Sequence, residues 1–178
     1  IMEHFKKHTD AEVAIVLTNN PEAYVLQRAD NFEIPTHIFD KHEFYQTDNV
    51  VDLLKNLNID LLVLAGFLWL VPDTILANYP KRIINIHHSF LPAFIGANPY
   101  HQAHKRGVKI IGATAHFVTD DLDEGPIIKQ LVTPVDHTYS AMDMVKAGRD
   151  VEKNVLSKAL QLVLEDRVFV HGNKTVIL

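Results

Sequence analysis

The sequence predicts an α/β protein with an open, mostly parallel, Rossmann-like sheet, closed by a long C-terminal helix and a hairpin. Three observations predict it. Short runs rich in Val, Ile and Leu alternate with helix-sized amphipathic segments through the front half. No internal repeat, low-complexity segment or long linker breaks that rhythm. The back half then places two extended runs around a polar loop, ahead of the longest helical stripe in the chain.

Glu12 to Thr18 (EVAIVLT) reads as a strand, stopped by Asn19, Asn20 and Pro21, which open a helix at about Pro21 to Asp30. Thr36 to Phe39 is a short strand after Pro35. Thr47 and Asp48 can cap a helix to Leu57, with Val51, Leu54 and Leu57 on one face. Asp60 to Ala65 (DLLVLA) reads as a strand buried on both faces, as parallel strands are. Pro72 to Tyr79 is a short helix and Arg82 to Ile86 (RIINI) another buried strand. Ile110 to Thr119 and Pro126 to Val135 are extended. A helix over Ser140 to Asp166 starts with a capping-box-like Ser140 and Asp143, and carries Met144, Val151, Val155, Ala159, Leu162 and Val163 as its stripe. VFVH, Gly172-Asn173 and KTVIL make a terminal hairpin. Sheets of this kind usually open with a strand feeding a glycine-containing loop. This chain opens with IMEHF, the middle of a helix, so a first strand is missing from the pattern.

Composition narrows the function. A chain of 178 residues, 47% of them apolar, is enough for one domain with a real core. A net charge of -5 with no basic run argues against nucleic-acid binding. The absence of cysteine excludes disulfides and thiolate metal sites and fits a reducing compartment. The longest apolar stretch, Leu61 to Pro72, is too short to span a bilayer, and the start has no apolar leader. The expectation is a cytoplasmic protein without membrane partners, with homo-oligomerisation open.

In open parallel sheets, ligands sit beyond the carboxyl ends of strands. There Asn85 and His87 point to one face of an extended segment. An amide donor beside an imidazole can bind a carbonyl oxygen that gains negative charge, and histidine moves protons near neutral pH. Equally, the pair can simply tie down a strand end. His88 points the other way and reads as structural. In the loop Thr119 to Gly125 (TDDLDEG), Asp120, Asp121 and Glu124 read as a solvated turn, and EF-hand spacing is absent. Asp123 beside His87 would orient the imidazole and could hold or deprotonate a water or an amine. His101 and His104 lack a third ligand and read as an exposed helix face. Thr114 and His116 share a strand face and can line a pocket, or His116 can be a satisfied interior histidine. Ser89 is not in a G-x-S-x-G elbow. The run Leu61 to Val71 is either plain core or a wall for a flat, partly apolar ring.

Ile84 to Gly96 (INIHHSFLPAFIG), followed by Asp120 to Pro126 (DDLDEGP), resembles the folate-dependent formyltransferase and hydrolase family, and the resemblance runs over essentially the whole chain. The back half is similar to the deformylase branch: His88 stands where the transformylases usually have proline, and Glu124 where they usually have glycine. The front half, in LTNNPEAYVLQRA and VLAGFLWLVP, is more similar to the glycinamide ribonucleotide transformylases. The resemblance implies a formyltransferase fold over residues 1–178 as a single catalytic domain, without the ACT-type regulatory domain of the deformylases. It implies hydrolysis of 10-formyltetrahydrofolate to formate and tetrahydrofolate, in one-carbon and purine metabolism, with no metal and no permanently bound cofactor. By motif position, Asn85 donates to the formyl oxygen, His87 stabilises the oxyanion and passes a proton to N10, and Asp123 holds His87 and activates water. Leu68, Trp69, Leu70 and Val71 would lie against the pterin, with Thr114, His116, Val118, Asp120 and Asp121 along its other edge. The alternatives are formyl transfer to glycinamide ribonucleotide and a folate-binding module without turnover.

Overall fold

The computed structural model describes residues 1–178, and they divide into two units, Ile1–Asp60 with Val71–Asn78, and Leu61–Leu70 with Tyr79–Leu178.

The first unit opens with helix α1 (Met2–Phe5). Strand β1 (Val16–Thr18) keeps only the last three residues of its apolar run, those that find a partner in β2 (Thr36–Ile38). The two strands pair in parallel, Val16 opposite Thr36 and Thr18 opposite Ile38. Between them runs α2 (Tyr24–Asp30), which buries Ala29. Helix α3 (Lys41–Gln46) was not legible as a separate element. It exists because Asp40 accepts the Glu43 amide at 2.8 Å, a side-chain N-cap. Helix α4 (Asn49–Asn56) buries Val50, Val51 and Leu54, while Leu57 lies past its end and is exposed. Asp48 occupies its N-cap position without a side-chain cap bond; the Thr47 hydroxyl accepts the Asn49 amide instead, at 3.3 Å. Helix α5 (Asp73–Asn78) buries Ile75 and packs on α4.

The second unit is built on a four-stranded sheet in the order β3 (Leu62–Leu64), β4 (Ile83–His87), β5 (Ile110–Phe117), β6 (Ile127–Pro134). Strands β3 and β4 are parallel; β5 and β6 each run antiparallel to the strand before. The class is α/β, with parallel pairing in the elements up to β4 and antiparallel pairing after them. Strand β3 is only half-buried, where an apolar run buried on both faces was expected, because it borders this sheet. Strand β4 is buried almost throughout and extends one residue further than expected, over His87. Helix α6 (Pro99–Arg106) buries Tyr100 and Ala103.

Helix α7 (Ala141–Leu164) packs along β4, β5 and β6. Its start is a full capping box: Ser140 accepts the Asp143 amide, and Asp143 accepts the Ser140 amide. Met144, Gly148, Val155, Leu156, Ala159 and Leu160 form its buried stripe, whereas Val151, Leu162 and Val163 are half-buried. Burying each large apolar side chain in that stripe contributes about 1.5–3 kcal/mol. Strands β7 (Val168–His171) and β8 (Lys174–Ile177) close the expected hairpin around Gly172 and Asn173.

Candidate active site

Strand alternation puts Asn85 and His87 on one face of β4. The antiparallel neighbour sets His116 opposite Asn85 and Thr114 opposite His87, so four polar side chains share that face.

Hydrogen bonding fixes the state of His116. Its Nδ1–H donates to the Phe117 carbonyl at 2.9 Å. That leaves a lone pair on Nε2, and the Asn85 amide Nδ2 donates to it at 3.3 Å. Burial holds the His116 pKa below its ordinary value, against the opposing pull of the Phe117 carbonyl and of Asp123. His116 is therefore a neutral, single-tautomer ring that aims the Asn85 amide.

Asp123 sits between the two imidazoles. Its Oδ2 is 3.2 Å from His87 Nδ1 and its Oδ1 is 3.8 Å from His116 Nε2. On the other side of the His87 ring, Nε2 lies 3.2 Å from the Phe94 carbonyl oxygen. Each nitrogen of His87 thus faces an oxygen. An N–H on either nitrogen therefore has an oxygen to donate to, and the contact with Asp123 orients the ring. The side chains of His87 and Asp123 are 8% and 7% exposed, so this interaction is little screened by water.

The loop between β5 and β6 delivers Asp123 through close backbone fits. Asp123 itself has φ +58°, a left-handed conformation that aspartate tolerates better than most residues. Gly125 packs against β5 so closely that a Cβ there would lie 1.8 Å from the Phe117 carbonyl oxygen. The Val118 amide donates to the Ile83 carbonyl at 2.8 Å, and the Asn173 side chain of the hairpin donates to the Glu124 carbonyl at 3.0 Å.

Thr114 has a different place from the one expected. It is fully buried, and its hydroxyl donates to the Ser89 carbonyl at 2.8 Å while accepting the Leu91 amide at 3.0 Å and the Gln130 amide at 2.9 Å. One donor and two lone pairs are all used, so Thr114 holds the loop after β4 and has nothing left to offer a ligand. The remaining expected residues spread out. Asp120 and Asp121 are exposed, and Val118 is half-buried. Leu68 and Leu70, 90% and 61% exposed, flank a half-buried Trp69 whose ring lies 6.1 Å from that of Phe67. Val71 is half-buried and belongs to the first unit. His101 and His104 are exposed along α6, and Ser89 is buried with its hydroxyl donating to the Ala93 carbonyl. No three His, Asp or Glu side chains are placed to hold a metal ion.

Sequence reasoning missed the partners of His88. Its Nδ1 lies 2.9 Å from Glu152 on α7, and Glu152 also accepts the Tyr100 hydroxyl at 2.6 Å. A signal was present: Glu152 falls on the helical spacing of the buried stripe, four residues after Gly148 and three before Val155.

Comparison with known proteins gives a consistent picture. Residues 1–160 match the formyl transferase family. The formyltetrahydrofolate deformylase of Escherichia coli (strain K12) is 52% identical over 172 residues, covering 95% of this chain and 61% of the relative's length. This chain thus spans less than two thirds of that relative. The crystal structure of a formyltetrahydrofolate deformylase from Pseudomonas syringae superposes with a TM-score of 0.89 at 42% identity, over 97% of this chain and 58% of the other. Glycinamide ribonucleotide transformylase 1 from Symbiobacterium toebii also superposes with a TM-score of 0.89, at 35% identity, over 94% of this chain and 81% of the other.

Proposed function

The chain belongs to the formyl transferase family, and from that premise we propose that it hydrolyses 10-formyltetrahydrofolate to formate and tetrahydrofolate. One observation carries the reading: a single carboxylate, Asp123, lies 3.2 Å from His87 Nδ1 and within 3.8 Å of the His116 ring, with the amide of Asn85 alongside. That is an oxyanion donor, a proton-carrying ring and a base within one buried cluster. The 52% identity to a deformylase supports water as the nucleophile.

The steps follow from the geometry. The second N–H of the Asn85 amide, the one His116 does not use, donates to the formyl oxygen. The His87 Nε2–H turns from the Phe94 carbonyl to the same oxygen as negative charge grows there. Asp123 takes a proton from the attacking water, which forms the new C–O bond. The tetrahedral centre then collapses, the C–N10 bond breaks, and a proton passes through His87 to N10. One water is consumed, and formate and the secondary amine are released. The exposed Leu68 and Leu70 beside Trp69 offer apolar surface to the pterin, and Asp120, Asp121 and the backbone at Val118 border its other edge. His116 acts through Asn85. A cytoplasmic location, suggested by the cysteine-free composition, and self-association belong to the same reading.

The test is incubation of the purified protein with 10-formyltetrahydrofolate, following formate and tetrahydrofolate with and without glycinamide ribonucleotide. Formate release without the nucleotide, lost by at least about 100-fold in Asp123→Asn, is the expected result. Turnover only in the presence of the nucleotide would assign the chain to formyl transfer, the reading that the Symbiobacterium likeness favours. Near-normal turnover by Asp123→Asn would remove the carboxylate from the mechanism.

A further inference from the structure

His88 follows the proposed proton carrier directly in the chain, and the chemistry above does not use it. Its ring is nevertheless built into the fold. Nδ1 lies 2.9 Å from Glu152 Oε2, and the other oxygen of that carboxylate accepts the Tyr100 hydroxyl at 2.6 Å. Tyr100 is accommodated by a notch in α7: a Cβ on Gly148 would lie 2.0 Å from its hydroxyl oxygen. The end of β4, α6 and α7 therefore converge on one carboxylate whose side chain is 16% exposed.

The electrostatics agree with this geometry. The hydrogen bond to Glu152 raises the His88 pKa above its ordinary value, overcoming burial, and the charge of Asp123 adds to the effect. Burial alone would push the Glu152 carboxyl up, but the bonds from His88 and Tyr100 outweigh it and hold it below its usual range, helped by Arg149. The bond between the two side chains thus favours the imidazolium on one and the carboxylate on the other. The charged and titratable groups that act on the pair from outside it are Arg149 from α7, Tyr100 from α6 and Asp123 from the loop after β5.

We propose that His88, anchored by Glu152 and Tyr100, is a positioning residue for His87: it fixes the backbone at the end of β4 so that the His87 ring stays between Asp123 and the Phe94 carbonyl. His87 and His88 are successive residues at a strand end and are gripped from opposite faces, one by Asp123 and the other by α7. Freeing His88 lets the peptide between them rotate, and the His87 ring then loses one of its two oxygens. The consequence for turnover rests on the hydrolytic reading; the consequence for the His87 ring does not.

The test compares the wild type with Glu152→Gln and His88→Gln in two measurements. In proton NMR, the His87 Nδ1–H bonded to Asp123 is expected far downfield in the wild type, and to move upfield or exchange away in both variants. In formate release, kcat is expected to fall roughly 10- to 100-fold while KM for the folate changes by less than about threefold, the pattern of a misplaced reacting group. Tyr100→Phe keeps the His88–Glu152 pair and should lie between wild type and Glu152→Gln in both. A variant that melts at lower temperature yet keeps the His87 resonance would show a mere helix clamp and overturn the inference. If Glu152→Gln does not fold, Tyr100→Phe and His88→Gln carry the same comparison. A wild type that releases no formate would overturn the hydrolytic reading alone, and the His87 resonance would still decide this inference.

Discussion

Thr114 gathers three hydrogen bonds on one fully buried oxygen, so replacing it removes more than a methyl-sized polar group. Thr114→Val keeps the shape and strands the Leu91 amide and the Ser89 carbonyl. A buried unpaired group costs about 1–3 kcal/mol, and urea unfolding of Thr114→Val should show a loss of that size. Because the stranded groups lie in the loop that carries Phe94, turnover should drop as well, although Thr114 touches no substrate. Unchanged stability would mean that the loop rebonds elsewhere. The residue also marks how far side-chain parity can be read. Alternation correctly paired Asn85 with His87 and Thr114 with His116, and the β4–β5 register then sets both pairs on one face. It could not say that the hydroxyl of Thr114 was already saturated, because its partners are carbonyls and amides 23 and 25 residues away. Asn85, His87 and Asp123 were legible for the opposite reason: their types fit one chemistry, and two of them sit at strand spacing.

Among the elements, α7 was the most legible and also hid the most. Its Ser140 cap and its length follow from local pattern, and the structure has them, whereas of the expected stripe only Met144, Val155 and Ala159 are buried. What the pattern did not expose is that Gly148 and Glu152 interrupt the stripe to receive Tyr100. Gly148→Ala tests that packing. A Cβ would also lie 2.2 Å from the ring carbon that bears the hydroxyl, so a flexible tip cannot simply step aside. Overpacking of this kind costs about 1–3 kcal/mol, and the variant should lose that much stability in urea while keeping its helix content. A neutral outcome would mean that α6 can slide along α7. The short strands were misread in length for a physical reason. In β1 and β3 only the residues that pair with a neighbour become strand, and apolar patterning runs past the pairing. Helix α3 was missed because its evidence was a single cap at Asp40, with no apolar period behind it.

At the scale of the whole molecule, three titrating groups, the buried His116 and the half-buried His88 and Glu152, set opposing slopes on stability against pH. His116 has a folded pKa below its ordinary value of about 6.5. Its contribution is present above that ordinary value and is lost as pH falls through the folded one. Glu152, also lowered, contributes above the usual carboxylate range and loses its share further into acid. His88 is raised, so its contribution is complete below about 6.5 and is lost as pH rises through its folded value. Stability should therefore peak near pH 6.5, with an acid limb in two stages, His116 before Glu152, and an alkaline limb due to His88. Urea midpoints measured from about pH 2 to about pH 9 resolve these limbs. His116→Gln should flatten the first acid stage and leave the alkaline limb, whereas His88→Gln should flatten the alkaline limb and leave that first stage. An alkaline limb that survives His88→Gln would mean that the His88–Glu152 pair is not charged in the folded protein. The electrostatic part of the positioning argument would then fail, even if the two side chains remain in contact.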